Sequence, residues 1–309
     1  AGRRVELLES FKAAAQKEGV DGLILAADAE KYAPALYKAD AYFIVPPVSD
    51  SRYIDALLNI CAEHNVCAVI PLIDTELELL AANRDRFEES GIKLLVSDER
   101  TVGISADKYL TYRFFKENGF ATPETFLPEQ YKGGLEFPVF LKPRFGSASI
   151  DTFKADDQDE FNVFIKRIKE PVIQQFIRGQ EYTVDVFCDF SGRPLYITPR
   201  RRIAVRGGEV SKAKVEKNED LINTVGSIVS KLDVCGPLTV QCMYSEGEYV
   251  FTEINARFGG GSPISIQAGA DSPAALYRLL AGKEVMPNIY GFKDGMVALR
   301  YDQAVYLDK

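Results

Sequence analysis

Residues 236–263 read GPLTVQCMYSEGEYVFTEINARFGGGSP, and this stretch decides the fold. Two apolar, alternating runs, 236–245 and 248–255, flank Glu246-Gly247, the pattern of antiparallel strands joined by a tight turn. Side chains two apart on a strand share a face, so Glu253, Asn255 and Arg257 project together, with Gln241 on the neighbouring strand. Such a polar face inside an apolar strand pair is costly unless ions meet it. Mg2+ takes hard oxygen ligands and usually keeps one or two protein carboxylates beside substrate phosphates. Gln241, Glu253 and Asn255 are therefore candidate metal ligands, and Arg257 is a candidate to reach a phosphate being transferred. A solvated sheet face is the plainer alternative, made poorer by the glycines at 259–261.

Three upstream segments point the same way, each weakly by itself. In EFPVFLKPRFGSASI (136–150) a strand delivers Lys142 to a loop of small residues. Backbone N–H groups and an ammonium there suit a nucleotide's phosphates, although a lone lysine is more often simply solvated. In PVIQQFIRGQEYTVDVF (171–187) a strand breaks at Arg178-Gly179 and an alternating one starts at Glu181. That hinge can offer backbone groups to an adenine edge and a carboxylate to ribose hydroxyls; a simple hairpin also accounts for it. TPRRRIAVRGGEVSKAK (198–214) carries Arg200, Arg201, Arg202, Arg206, Lys212 and Lys214, a local positive patch in a chain of net charge −8. It lacks interleaved aromatics, and alternation splits its charges between two faces, so a small polyanion fits better than nucleic acid.

Around these motifs the sequence predicts further strands at 137–142, 172–177, 181–190, 194–203 and 209–215, with a turn at Gly192. Helices are expected at 106–119 (closed by Gly119), 157–168, 218–232 and 272–282. This mixture is an α+β region on antiparallel sheets. Residues 1–104 differ. Apolar runs at 20–27, 41–46, 66–72 and 92–97 alternate with helical patterns at 50–65, with Asp50 as N-cap, and 75–91, stopped by Gly91. That alternation predicts an open, Rossmann-like parallel α/β domain. The chain opens on a turn and an amphipathic helix, AGRRVELLESFKAAAQKEG, where a strand normally comes first, so a short strand is expected to precede Ala1. Asp74 and Glu76, in PLIDTE, lie where open α/β sheets place ligands. Their preferred reading is as helix N-terminal acids favoured by the dipole.

The 309 residues are 46% hydrophobic and 27% charged, enough for two or three domains. The acidic balance gives no bulk attraction to nucleic acid or anionic membranes. Five cysteines form no C-x-x-C pair and the one histidine is His64, which argues against disulfides and a His-based zinc site. No apolar run approaches the ~20 residues that span a bilayer, and no secretory signal is visible. A cytoplasmic protein is expected.

Lys108 in ISADKYLTYRFFKENGFATPET, Lys142 in FPVFLKPRFGSAS, Glu181 in GQEYTVDVF, and FTEINARFGGG follow one another in the order and spacing of ATP-grasp enzymes. Across essentially the whole chain the sequence resembles one synthase half of the carbamoyl-phosphate synthase large subunit. The resemblance implies a pre-ATP-grasp α/β domain over 1–104 and an ATP-grasp domain over 105–309, with a lid at about 115–175 and a main part at about 176–309. It implies that Lys108, Lys142 and Ser147 hold ATP phosphates. The backbone of Gln175, Phe176 and Ile177 would take adenine, and Glu181 ribose. Gln241, Glu253 and Asn255 would hold one or two Mg2+ ions, with Mn2+ as a substitute. Arg257, with Lys142, would stabilise the transferring phosphoryl group, and Arg201 and Arg206 would bind an anion or acyl phosphate. The implied function is an ATP-dependent carboxylate–amine ligase, with a homodimer compatible. Two alternatives are a synthase half using bicarbonate with partner chains, and a non-catalytic ATP-binding module. The sequence departs from the family at its phosphate loop, Gly146-Ser147-Ala148-Ser149-Ile150-Asp151, where two glycine positions are replaced, one by an acid. It departs again within 259–261, where a further arginine after Arg257 has become glycine.

Overall fold

In the first third, short apolar runs between amphipathic helices produce parallel strand pairs; the computed structural model describes residues 1–146 and 150–307. Helix α1 (Val5–Glu18) buries Leu7, Leu8, Phe11, Ala14 and Ala15 along one face and ends at Gly19 in the left-handed region. Strands β1 (Leu25–Asp28) and β2 (Ala41–Ile44) pair in parallel. Helix α2 (Tyr53–Glu63) follows, then β3 (Ala68–Val69), α3 (Asp74–Ala82), α4 (Arg84–Glu89) and β4 (Lys93–Leu94), with β3 parallel to β4. The parallel α/β expectation is met, with shorter strands than the apolar runs.

Two local expectations are corrected. Asp50 does not cap α2: the N-cap is Arg52, and the Asp50 carboxylate accepts the Arg52 N–H at 2.9 Å and its guanidinium at 2.6 Å. The single helix over 75–91 is two, divided at Asn83. Asn83 turns its amide back to the Leu79 carbonyl at 2.8 Å, the local competition with helix that asparagine offers.

Helix α5 (Glu99–Ala106) leads into α6 (Lys108–Glu117), whose N-cap Asp107 accepts from the N–H groups of Tyr109 and Leu110. A four-stranded antiparallel sheet comes next. It comprises β5 (Thr125–Phe126), β6 (Val139–Pro143), β7 (Phe153–Ala155) and β8 (Pro171–Gln175), in the order β5-β8-β6-β7. Helix α7 (Gln158–Arg167) covers it, and a separate small core of Val139, Leu141, Ala155, Ile168 and Ile173 lies between.

The second antiparallel sheet has six strands. They are β9 (Gln180–Cys188), β10 (Pro194–Arg206), β11 (Glu209–Val215), β12 (Gly236–Ser245), β13 (Glu248–Asn255) and β14 (Val297–Leu299). Their order is β13-β12-β9-β10-β11-β14. Helix α8 (Glu219–Val229) lies between β11 and β12, and α9 (Ser262–Gln267) and α10 (Ser272–Leu280) follow β13. Leu221, Ile222, Val225 and Ile228 of α8 join the main core with Val184, Val186, Leu238 and Val240.

Helix α1 packs against α9 and α10, joining the two ends of the chain. Phe11 meets Phe258 and Tyr277 edge-on, while Arg278 pairs with Glu18 and Lys17 with Asp271, each at 2.6 Å. This packing brings the start of α1 to the six-stranded sheet. Among the described residues no helix is long and apolar enough to cross a membrane.

Candidate active site

A cavity of about 860 Å3 is lined by both antiparallel sheets and by residues from the first third of the chain. Strand register explains which side chains reach it. Gln241 is opposite Glu253 on β13 and Thr183 on β9, and Thr183 is opposite Arg200 on β10. One row along, Thr239 pairs with Asn255 and Asp185. A face two residues in period thus collects Gln241, Glu253, Asn255, Glu181, Thr183, Arg200 and Arg202 at the cavity.

The Glu253 carboxylate makes no hydrogen bond or ion pair among the described residues, while Asn255 Oδ1 accepts from Arg257 at 3.2 Å. Glu253, Asn255 and Gln241 are hard oxygen donors on adjacent strands. They fit Mg2+ that completes its shell with phosphate oxygens and water. Among the described residues no group of three or more His, Cys, Asp and Glu gathers, so they build no all-carboxylate cage.

Lys142, on β6, is buried at 6% exposure. Burial pulls its ammonium down to about 8; Glu253 opposes the shift and Lys108 adds to it. Lys108 begins α6 and donates to the Gly146 carbonyl at 2.6 Å. Burial lowers its pKa too, against the pull of Glu253, Asp74 and Asp107. Asp107 also holds Arg144 at 2.6 Å, and the Lys108 N–H donates to the Arg144 carbonyl at 3.0 Å, so the strand end and the helix start are pinned together. Asp151 lies on the cavity wall with φ 51°, a left-handed conformation that favours glycine. Ser147 lies outside the described residues.

After β8 the Gln175 N–H is taken by Glu124 O at 2.8 Å, whereas the backbone groups of Phe176 and Ile177 have no protein partner among the described residues. Gly179 closes this segment against β12. A Cβ there would stand 2.3 Å from the Tyr244 carbonyl oxygen, so only glycine fits. Glu181 lines the cavity and is paired with Arg202. Burial raises its carboxyl pKa, and Arg202 works against the rise.

The charges over 198–214 are split between two faces as alternation implied, but Arg201 and Arg206 are not the ones at the cavity. Arg201 points to the other face of β10, where Glu216 holds it at 3.0 Å, and Arg206 is an exposed partner of Asp302 at 3.2 Å. Neither lines the cavity: Arg201 is one residue off the row of Arg200 and Arg202, and the irregular pairing on either side of Ala204 puts Val205 at the cavity in place of Arg206. Arg200 and Arg202 occupy the cavity face instead: a register shift between Pro194 and Tyr196 reverses the parity that counting through the turn at Gly192 gives, so the strand pairing selects them. Arg200 is 1% exposed and bonds Asp185 at 2.6 and 3.1 Å. Ser262 and Ser265 donate to the same carboxylate at 3.2 and 2.5 Å.

Arg257 donates to Asp74 at 2.6 Å, so Asp74 is a cavity residue as well as the first residue of α3. Glu76 keeps the helix-start role, accepting from the N–H groups of Leu72 and Ile73 at 2.7 and 3.1 Å. Arg4 also lines the cavity, and nothing in the sequence marks it. Burial, then the charge of Arg257, lowers its pKa to about 10, so it is still charged at neutral pH.

Comparison with known proteins gives these geometries a family context. A family model described as an ATP-grasp domain matches residues 105–261, and one described as a PylC-like N-terminal domain matches residues 1–95. The chain is 25% identical to a carbamoyl-phosphate synthase of Methanobrevibacter smithii over 288 residues, covering 87% of this chain and 76% of that protein. It is 27% identical to a D-alanine–D-alanine ligase of Fusobacterium nucleatum over 168 residues, covering 50% of this chain and 58% of that protein. The crystal structure of an L-amino acid ligase from Bacillus licheniformis has the same fold, with a TM-score of 0.72 and 18% identity over 93% of this chain and 76% of that one. So does the biotin carboxylase domain of the Hydrogenobacter thermophilus 2-oxoglutarate carboxylase, solved with MgADP and bicarbonate. Its TM-score is 0.71 at 14% identity, over 96% of this chain and 72% of that one.

Proposed function

This chain belongs to the ATP-grasp family, and from that premise we propose that it is an ATP- and Mg2+-dependent ligase that activates a small carboxylate and joins it to an amine-type nucleophile. The observation that carries the reading is the unpaired Glu253 carboxylate on one cavity wall with Gln241, Asn255, Arg257 and the buried Lys142. Mere adenine binding has no use for that set. In this reading residues 1–104 are the α/β domain and 105–309 the ATP-grasp domain, with a lid at about 115–175 and a main part at about 176–309.

Adenine would lie against the free backbone groups of Phe176 and Ile177, and ribose at Glu181. Lys108, Lys142 and Ser147 would hold the phosphates. Glu253, Asn255 and Gln241 would hold Mg2+, which would neutralise phosphate charge. A substrate carboxylate oxygen attacks the γ-phosphorus, ADP leaves, and an acyl phosphate results. The amine then attacks the acyl carbon, inorganic phosphate leaves with the bonding pair, and the proton shed by the amine goes to the departing phosphate. Arg257 would stabilise charge on the phosphoryl group in flight. The protein's contribution is positioning and electrostatics, as in phosphoryl transfer generally. Bicarbonate as the carboxylate is a second reading, favoured by the match to a carbamoyl-phosphate synthase over 87% of the chain.

Phosphate release from Mg-ATP, measured with bicarbonate and with pools of small carboxylates and amines, tests this. Stimulation by a carboxylate–amine pair is expected, with a loss of about a hundredfold in Glu253→Gln and in Lys142→Gln. Stimulation by bicarbonate alone would favour the second reading. ATP binding without any stimulation would mark a non-catalytic module and sink the ligase.

A pH dependence follows from Lys142. Its folded pKa of about 8 lies below the ordinary 10.5 because the site is buried. The unfolded chain therefore binds more protons between about pH 8 and 10.5, and folding stability contributed by this group rises across that window. Phosphate binding needs the charged form, so kcat/KM for ATP is expected to fall about tenfold per unit above pH 8. Nucleotide binding at pH 8.5 should take up a proton, read by calorimetry in buffers of different ionisation enthalpy. A profile flat to pH 9.5 would remove Lys142 from phosphate binding.

A further inference from the structure

Arg4 stands at the start of α1, half-buried, and its described contact is one long bond from Nη2 to the Leu72 carbonyl at 3.4 Å. It forms no ion pair among the described residues. Its Nη1 lies 3.1 Å from the point a Cβ on Gly260 would occupy. Arg200 Nη1 lies 2.7 Å from the corresponding point on Gly261, and it has no partner although it is buried. Arg257 Nε is buried and without a partner as well. Buried donors left unpaired are costly and rare. Two such donors are present, Arg200 Nη1 beside Gly261 and Arg257 Nε two residues before the glycine turn, and Arg4 Nη1 reaches the same turn at Gly260, where missing side chains leave room.

We propose that Arg4, with Arg200 and Arg257, forms an anion subsite that binds the carboxylate of the acid substrate. The proposal rests on the ligase reading and adds a group from the first third of the chain to it. A guanidinium presents planar, paired donors that match a carboxylate's two oxygens, and three of them around a turn orient it better than a point charge would. Lys108 and Lys142 enter the cavity with Gly146, while Arg4 enters beside Leu72 and Asp74, so the two sets serve different ends of the reaction. Arg257 belongs to both, which places the substrate carboxylate next to the phosphoryl group it attacks. Gly260 and Gly261 are then required for space: a side chain at either would push a guanidinium out of place.

The full chain saturated with MgADP is titrated with acetate, succinate and L-amino acids, following the thermal midpoint and the heat of binding. Wild type is expected to bind at least one of these carboxylates. The dissociation constant should rise tenfold or more in Arg4→Gln and in Gly260→Ala, with MgADP affinity unchanged in both. Gly260→Ala displaces only the end of a flexible side chain, so it reads the subsite even where Arg4→Gln fails to fold. Equal carboxylate binding in wild type and both variants would overturn the subsite. So would carboxylate binding by none of them while MgADP still binds, and in either case the nucleotide site would stand. Failure of wild type to bind MgADP would bring down the ligase reading and the subsite together.

Discussion

Arg257→Gln is expected to lower carboxylate-dependent phosphate release by about a thousandfold or more, with MgADP affinity held within about threefold. The side chain is fixed before any substrate arrives: Asp74 holds Nη2 at 2.6 Å, Asn255 Oδ1 accepts from the same nitrogen at 3.2 Å, and the Phe258 carbonyl takes Nη1 at 3.2 Å. A preorganised guanidinium needs no rearrangement when charge develops on the phosphoryl group, and that makes it worth more there than in water. Glutamine keeps a donor for Asp74 while removing the charge, so folding should survive. Single-turnover rates beside MgADP titrations separate the terms. A fall of less than tenfold in the rate, or a fall explained by lost nucleotide affinity, would take Arg257 out of the transferring-phosphate role.

Asp185→Ala should cost about 3–5 kcal/mol of stability, because it leaves Arg200 buried with its charge uncompensated. Removing one partner of a buried pair costs far more than removing both. The double variant Asp185→Ala, Arg200→Met is therefore expected to recover most of the loss. Thermal unfolding of the three proteins checks this, with the single variant lower by about 10 °C. A single variant within about 1 kcal/mol of wild type would show that water reaches Arg200 and that the pair is not structural. The double variant should still lose carboxylate binding if Arg200 belongs to the anion subsite. Stability and binding then come apart in one protein.

Much of the fold was legible from local pattern. Period-two alternation on either side of Glu246-Gly247 placed β12 and β13 at their observed bounds and put Glu253 and Asn255 on one face, while Gln241 comes opposite Glu253 only through a register shift between Gln241 and Cys242. The switch to alternating strands and helices before residue 104 announced parallel pairing, which β1 with β2 and β3 with β4 display. Where local chemistry competed with the pattern, the reading went astray. Asn83 interrupts an otherwise unbroken helical periodicity, and Asp50 spends its carboxylate on Arg52 instead of a helix end.

The sequence by itself determined the family, through motifs in a fixed order, and also the strand that carries Glu253 and Asn255 and the lysine on β6, because these depend on residues a few positions apart. Tertiary structure alone decided which arginines face the cavity. Choosing Arg200 and Arg202 over Arg201 needs the register between β9 and β10, and a one-residue shift reverses every side chain. It alone turned Asp74 into a partner of Arg257, since the two are brought together from distant elements. It alone brought Arg4, at the N-cap of the first helix, beside Gly260. That encounter depends on α1 packing against α9 and α10, and no local pattern of residues encodes which two helices will meet.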